Sequence, residues 1–191
     1  KLFSDVKISA TRIDGKDVYL DIFLQEQPRI SGLEYKGLKK NEEKDIQDLL
    51  KLRVGGQATD NILDNAKRLI KNHFRSKAFL NSRIDIYKEN DTLIANGVRL
   101  IFDIDKGPKV RISDITFEGN KNISDKRLRK ALKKTKRRDI NFFKTSKFIE
   151  SDYEEDKVNL IDFYNEKGYR DAKIISDSIY VVNEKRIGIV I

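Results

Sequence analysis

Apolar residues recur at every second position in several stretches of this chain. Val18, Leu20, Ile22 and Leu24 form one such set, and Val98, Leu100, Phe102 and Ile104 form another. A period of two is that of a strand with one face turned inward. Val6–Arg12 alternates in the same way. Asp14-Gly15 then offers a tight turn, so residues 6–24 read as a hairpin. Further strands are predicted over Ser82–Tyr87, Val98–Asp105, Ala172–Val182 and Arg186–Ile191.

Two other strands open with nearly the same words. Arg29-Ile30-Ser31-Gly32-Leu33-Glu34-Tyr35-Lys36-Gly37 resembles Arg111-Ile112-Ser113-Asp114-Ile115-Thr116-Phe117-Glu118-Gly119. Each closes on a glycine that ends the strand in a turn. After each strand the period changes to that of a helix. Ile46, Leu49 and Leu50 form a first stripe, matched later by Leu128, Ala131 and Leu132, all at i, i+3, i+4 spacing. A longer helix follows each. Its stripe is Ile62, Leu63, Ala66, Leu69, Ile70, His73 and Phe74 in one copy, and Tyr153, Lys157, Leu160, Ile161 and Tyr164 in the other. Asn41, Thr59 and the Ser151-Asp152-Tyr153-Glu154 box are the predicted caps. Lys77-Ala78-Phe79 and Lys167-Gly168-Tyr169 end the long helices alike, with Gly168 suited to the left-handed C′ position.

The order strand, helix, helix, strand, strand therefore occurs twice. Residues 28–107 make one unit and 108–191 a second. Residues 1–27 are the terminal hairpin of a truncated unit, and Pro28 and Pro108 mark the joints. Three strands do not bury both faces alone. Two antiparallel helices on one face complete a two-layer core, so the expected class is α+β with a three-stranded mixed sheet per unit.

Bulk properties narrow the function. Of 191 residues, 37% are charged and 38% hydrophobic, which favours several small cores over one large one. No apolar run approaches the ~20 residues of a membrane helix. The opening residues lack a signal-peptide pattern, and the chain reads as a piece of a longer protein. Cysteine is absent, which removes disulfides, thiol nucleophiles and thiolate metal sites. His73 is the only histidine and sits on an apolar stripe. Carboxylates cluster at helix starts without a convergent pair, and Gly55-Gly56 lacks the context of a phosphate loop. The chain is therefore read as a non-enzyme with no cofactor and no metal.

The net charge is +9, and residues 121–138 carry ten Lys or Arg against one acid, Asp125. Lys126, Arg127, Arg129, Lys130, Lys133, Lys134, Arg137 and Arg138 form the candidate patch for an anionic partner. A solvated helix face is the default reading; contact with anionic headgroups or an acidic protein is the alternative. A basic nucleic-acid-binding module is the rival from another class, but no aromatic ribonucleoprotein motif or GxxG loop accompanies the charge. The loop Thr135–Glu150 is about eight residues longer than its counterpart and holds Ile140, Phe142, Phe143 and Phe148. These aromatics are expected either to cover a core or to grip a membrane interface or partner.

The Arg-Ile-Ser opening strand with its aromatic and closing glycine, the Lys167-Gly168-Tyr169-Arg170-Asp171-Ala172 helix end, and the Val98–Pro108 closing strand with its Lys-Gly-Pro exit resemble POTRA repeats of BamA-type outer-membrane protein assembly factors. Ala78, where the other unit has Gly168, departs from the pattern. The resemblance implies a periplasmic scaffold attached to the outer membrane through a C-terminal barrel. It would dock unfolded outer-membrane proteins, accessory assembly lipoproteins and neighbouring POTRA units, with possible membrane-surface contact and no nucleic acid. The related array of a secretion or translocation barrel remains open. The implied mechanism is β-augmentation, in which an extended client adds to an exposed sheet edge. The edges would be Arg83–Tyr87 and Lys173–Val181, with Ile84, Ile86, Ile174, Ile179 and Tyr180 as contacts.

Overall fold

The computed structural model describes residues 3–137 and 146–191. In chain order the elements are β1 (Phe3–Asp14), β2 (Asp17–Glu26), β3 (Arg29–Lys36), α1 (Lys40–Leu50), α2 (Asp60–Ser76), β4 (Arg83–Asn90) and β5 (Gly97–Asp105). They continue with β6 (Arg111–Thr116), α3 (Asp125–Ala131), α4 (Glu150–Glu166), β7 (Ser178–Asn183) and β8 (Arg186–Val190). By compactness the chain divides into residues 1–70 with 84–105, and residues 71–83 with 106–191. The last turns of α2 thus group with the second half, where the sequence pattern alone put the division at Pro108.

Both three-stranded sheets have one topology. The last strand of each lies in the middle, giving the orders β3-β5-β4 and β6-β8-β7. β3 runs parallel to β5 from Arg29↔Gly97 to Lys36↔Asp103, and β6 parallel to β8 from Arg111↔Arg186 to Thr116↔Val190. A parallel pair needs a crossover, and the helix pair supplies it. Both opening strands slip register at the same place, between Ile30 and Gly32 and between Ile112 and Asp114. At the second slip Ser113 Oγ donates to Ile187 O at 2.8 Å, which satisfies a carbonyl next to the irregularity.

The sequence pattern sorts into core and surface as the periods require. In β5, Val98, Leu100, Phe102 and Ile104 are buried while Arg99, Asp103 and Asp105 are exposed; Ile101 is buried as well. The buried positions of α2 are Leu63, Ala66, Ile70 and Phe74. The second core joins Ile112 and Ile115 of β6, Leu128 of α3, Tyr153 and Leu160 of α4, and Ile187 and Ile189 of β8 with Leu132 and Phe148. Burying a side chain of this size contributes about 1.5–3 kcal/mol.

The helix ends show why local sequence was a good guide in places. Thr59 Oγ1 accepts the Ile62 N–H at 3.4 Å, as the cap pattern predicts. Gly168 has φ +91 after α4, and Ala78 adopts φ +70 at the same point after α2, so both units end their long helix in the left-handed region. Two predicted caps are corrected. α1 begins two residues earlier than an Asn41 cap allows: the N-cap is Lys39, whose N–H donates to Glu42 Oε2 at 3.0 Å. Ser151 lies inside the first turn of α4, whose N-cap is Ile149. The chain entering α4 is tied to the sheet by Phe148 N–H on Val110 O and Ile112 N–H on Ser146 O, and this sets the earlier start.

β1 and β2 pair antiparallel, with Val6↔Leu24, Ile8↔Ile22, Ala10↔Leu20 and Ile13↔Val18. Among the described residues nothing covers this apolar face. Val18, Leu20, Ile22 and Leu24 are 54%, 58%, 56% and 48% exposed, whereas Val98, Leu100, Phe102 and Ile104 are 5%, 0%, 0% and 1% exposed.

Candidate docking edges and the basic face

Each sheet leaves two edge strands, and the strand after the helices is one of them, as expected. β4 reaches from Arg83 to Asn90. Its start is a core strand: Ile84 is buried, so that side chain packs inward and only its backbone is available to an added strand. Ile86 is half-buried and Tyr87 exposed. Side chains of β4 are also tied to α2, through Lys88 Nζ–Asp60 at 2.6 Å and Lys67 Nζ–Asp85 at 3.5 Å. Lys88 is thus engaged with its own unit rather than standing off as a bare edge lysine. The carboxyl of Asp60, bonded by and close to the Lys88 ammonium, is held below its usual range.

The second edge is shorter than the sequence suggested. β7 begins at Ser178, and residues 173–177 pair with no strand. Ile174 is consequently not an edge-strand contact; it is half-buried against the second core. Asp177 holds this segment to α4 by accepting Tyr153 Oη–H at 2.9 Å and Lys157 Nζ at 3.5 Å. Burial first, and then the Asp177 carboxylate, push the Tyr153 phenol well above its ordinary value, so it stays a donor. Within β7 four apolar residues in a row are exposed: Ile179 and Tyr180 at 45%, Val181 at 77% and Val182 at 51%. A run of that kind on an open edge invites pairing with another chain.

Tyr180 also explains Gly188. The pair stand opposite each other in the antiparallel ladder, and the tyrosine ring occupies the space a Cβ on residue 188 would need. The ring lies over the glycine and shields the β8 backbone, so Gly188 is buried beneath a half-exposed aromatic.

The basic segment divides into two kinds of cation. Arg129 pairs with Asp125 at 3.6 Å and donates to Ile115 O at 2.8 Å. Lys134 pairs with Glu155 at 2.6 Å and Asp152 at 3.8 Å, which raises its ammonium above the usual range. Arg137 pairs with Asp114 at 3.1 Å, Lys133 Nζ donates to Asn159, and Lys136 donates to Leu132 O. These five hold their own unit together. Lys126, Arg127 and Lys130 are exposed on α3. They make no ion pair among the described residues, and they are the free part of the patch. Arg138, Ile140, Phe142 and Phe143 lie outside the described residues. Phe148, the remaining aromatic of that loop, is 4% exposed and sits in the core against Tyr153 at 5.9 Å between ring centroids.

One residue that the patterns did not single out organises this face. Asp156 is fully buried, and its carboxylate accepts the backbone N–H groups of Lys133 at 2.7 Å, Lys134 at 2.8 Å and Thr135 at 2.5 Å. Asn159 Nδ2 adds a fourth donor at 3.1 Å. Burial alone would raise its pKa; the three backbone donors outweigh burial and hold the carboxyl below the usual range. The signal was an aspartate on the apolar stripe, three residues after Tyr153 and four before Leu160, where the first unit has Ala66. His73 is half-buried and meets Phe74 edge-on at 5.4 Å, as a packing residue does. No group of three or more metal-ligating residues occurs among the described residues.

The family model described as "POTRA: Surface antigen variable number repeat" matches residues 28–107 and 110–191. The "Outer membrane protein assembly factor BamA" of Neisseria meningitidis serogroup B is 28% identical over 181 residues, covering 91% of this chain and 22% of the relative. The "Putative outer membrane protein assembly factor" of Treponema pallidum is 25% identical over 174 residues, covering 90% and 20% respectively. The chain thus spans about a fifth of the length of these relatives. Among solved structures, Haemophilus influenzae BamA POTRA3-5 superposes with a TM-score of 0.55 at 13% identity, over 98% of this chain and 70% of that one. POTRA1-2 of the periplasmic domain of Omp85 from Anabaena gives 0.51 at 15% identity, over 86% and 92%.

Proposed function

We propose, from the premise that this chain belongs to the POTRA family, that it is a periplasmic docking scaffold in the assembly of outer-membrane β-barrel proteins. Its two units, 28–107 and 108–191, receive unfolded outer-membrane proteins by strand addition and dock accessory lipoproteins. Residues 1–27 are the closing hairpin of a further unit. The protein that carries them is attached to the outer membrane through a C-terminal barrel, and the repeats perform no catalysis. The curated relatives named for outer-membrane protein assembly support the process.

The observation that carries the docking mechanism is the open edge of β7, with Ile179, Tyr180, Val181 and Val182 exposed in succession. Main-chain hydrogen bonds along such an edge are indifferent to client sequence, and alternating side chains of the client add apolar contact. That combination suits a receptor for many partners. The β4 edge is the second seat, offered by its backbone and by Ile86 and Tyr87.

The test is a titration of the chain with a peptide copied from a strand of an outer-membrane protein, followed by amide NMR at low and high salt. Shifts concentrated on 178–183 or 83–90 that persist at high salt are expected. Shifts confined to the cations of α3 that vanish with salt would refute strand addition and leave electrostatic docking in its place.

A further inference from the structure

The two units share a topology but not the chemistry of one sheet end. Each opening strand begins with an arginine, Arg29 or Arg111. Arg29 lies between Gly97 of β5 and Gln57 of an antiparallel bridge, and Arg111 between Arg186 of β8 and Lys147. The arginine N–H donates to Asn96 O in the first unit and to Lys185 O in the second, at 2.9 Å in both. Ala58 N–H on Pro28 O corresponds to Phe148 N–H on Val110 O, which sets Gln27 against Lys109. Four neutral positions of the first unit, Gln27, Gln57, Asn96 and Gly97, are thus cations in the second: Lys109, Lys147, Lys185 and Arg186. The first unit reaches the same strand order without them, so the fold does not require the charge.

Lys109, Arg111, Lys185 and Arg186 are exposed, and with Pro108 they line a cavity of about 350 Å³. These four and Lys147 make no ion pair among the described residues. Arg29 anchors its guanidinium on Gly55 O at 3.3 Å, and Arg111 has no such bond among the described residues. The Lys109 ammonium stands 5.1 Å from the centre of the Phe79 ring, which places it and leaves its charge unbalanced. Of the acids nearest in sequence within this unit, Asp114 is taken by Arg137 and Glu150 by Arg75. Glu184 is exposed and pairs with none of the five. Arg111 and Arg186 are direct partners in the ladder, and like charges so placed destabilise a sheet. A bound anion relieves that repulsion.

We propose that this cavity is an anion site for a compact group bearing two phosphates. Charge decides for phosphate over an acidic peptide. A phosphate monoester carries about −1.5 to −2, so two of them balance the four lining cations within one small volume. Carboxylates bring one charge each, and four of them on a peptide do not pack into a space of this size. The two guanidiniums suit phosphate oxygens as bidentate forks, and the two ammoniums add point charges. The site is separate from the cations of α3 and from the strand edges, and it does not rest on the docking reading above. Free phosphates and lipid headgroups share this chemistry.

The experiment titrates the 191-residue chain with inorganic pyrophosphate, with citrate as a carboxylate of similar charge, at about 0.15 M salt. Backbone amides of 109–111 and 184–187 and the arginine Nε–H groups are followed by NMR. Saturable shifts at these positions are expected with pyrophosphate, with affinity about tenfold or more above that for citrate. A variant with Lys109→Gln, Lys185→Asn and Arg186→Gln should lose the binding while melting no lower than the parent, because it sheds the repulsion. Neutralising Lys126, Arg127 and Lys130 to glutamine should leave the binding intact. Equal affinity for citrate, binding retained by the first variant, or binding lost in the α3 variant would each overturn the proposal. So would saturation of the same residues by a glutamate-rich peptide more tightly than by pyrophosphate, which would make the partner a protein. Neutral vesicles doped with a little phosphatidic acid separate the two sources. Sedimentation of the parent that pyrophosphate reverses assigns the phosphate to a lipid headgroup, and binding of pyrophosphate without sedimentation assigns it to a soluble ligand.

Discussion

Replacing Asp156 by alanine should unfasten the segment that leads out of α3. The carboxylate holds three consecutive backbone N–H groups, of Lys133, Lys134 and Thr135, and it does so with no exposure to solvent. Once it is gone, those donors lose a charged acceptor, and the Thr135 amide loses it inside the core. Leaving a donor without its acceptor costs about 1–3 kcal/mol, so three amides that lose one shared carboxylate cost about 3 kcal/mol or more together. For a domain of this size each kcal/mol moves the midpoint by roughly 4–8 °C, so the second unit of Asp156→Ala should melt at least ~12 °C lower. Asp156→Asn keeps the volume and one acceptor oxygen but not the charge, and should lie between, at about 1.5–2.5 kcal/mol. The assay is thermal unfolding followed by amide resonances of the second core, such as Ile112 and Leu160, with the Lys133, Lys134 and Thr135 amides read in the folded state. An alanine variant within ~1 kcal/mol of the parent, or an asparagine variant as damaged as the alanine one, would refute the reasoning.

The same network fixes a pH dependence with a definite sign. The folded-state pKa of Asp156 is lowered, so its contribution is complete above the ordinary aspartate value near ~3.9 and fades as pH falls through the lower folded value. The Asp156→Asn variant lacks that titration. The stability gap between parent and variant should therefore close below about pH 4 and stay constant above about pH 6.

Two further outcomes test the edges and the basic face. Gly188→Ala should expel the Tyr180 ring from the β8 backbone at a cost of about 1–3 kcal/mol, and the same change should be nearly neutral in a Tyr180→Ala background; a double-mutant cycle showing additivity would dispose of the ring-over-glycine account. Joint replacement of Lys126, Arg127 and Lys130 by glutamate should abolish low-salt binding to vesicles rich in anionic lipid without shifting the melting midpoint, whereas Lys134→Glu should destabilise the unit by breaking its pairs with Glu155 and Asp152. Binding by the triple variant equal to the parent's, read by vesicle sedimentation, would remove membrane contact from this patch.

Much of the fold was legible because its signals are local. The period of two and the period of 3.6 mark β5, α2 and the inward face of α3, and the Gly168 turn and Thr59 cap depend on neighbouring residues alone. The repeat did the rest, since equal words at equal offsets imply equal topology. What escaped the pattern depends on pairing at a distance. Ala172 to Val182 reads as one strand, but Ser176-Asp177-Ser178 interrupts its apolar residues, and only Ser178 onward has a strand beside it. The Ser151 box has the right letters for a cap, but the strand-like ties of Ser146 and Phe148 start the helix two residues sooner. The basic run looked uniform because charge was counted along the chain. In space Asp114, Asp152 and Glu155 come from other elements and divide it into structural and free cations.

The hairpin 3–26 shows how far an apolar pattern can speak for itself. Val18, Leu20, Ile22 and Leu24 carry the same periodicity as Val98, Leu100, Phe102 and Ile104, and their strands pair in good register, yet one set is about half exposed and the other almost wholly buried. Nothing in the side chains accounts for the difference. The difference is the helix pair: α1 and α2 carry the buried Ile46, Leu63, Ala66 and Ile70 in the first unit, and among the described residues no element brings their like to β1 and β2. Alternation therefore encodes which face of a strand is made for burial, and burial itself is decided by an element elsewhere in the chain. β7 is a second case, for its four exposed apolar residues are of the composition that cores use. A repeat that presents such faces and edges is built to be completed by something adjoining it, and completion by an adjoining strand is what the docking function proposed for these units asks of a client.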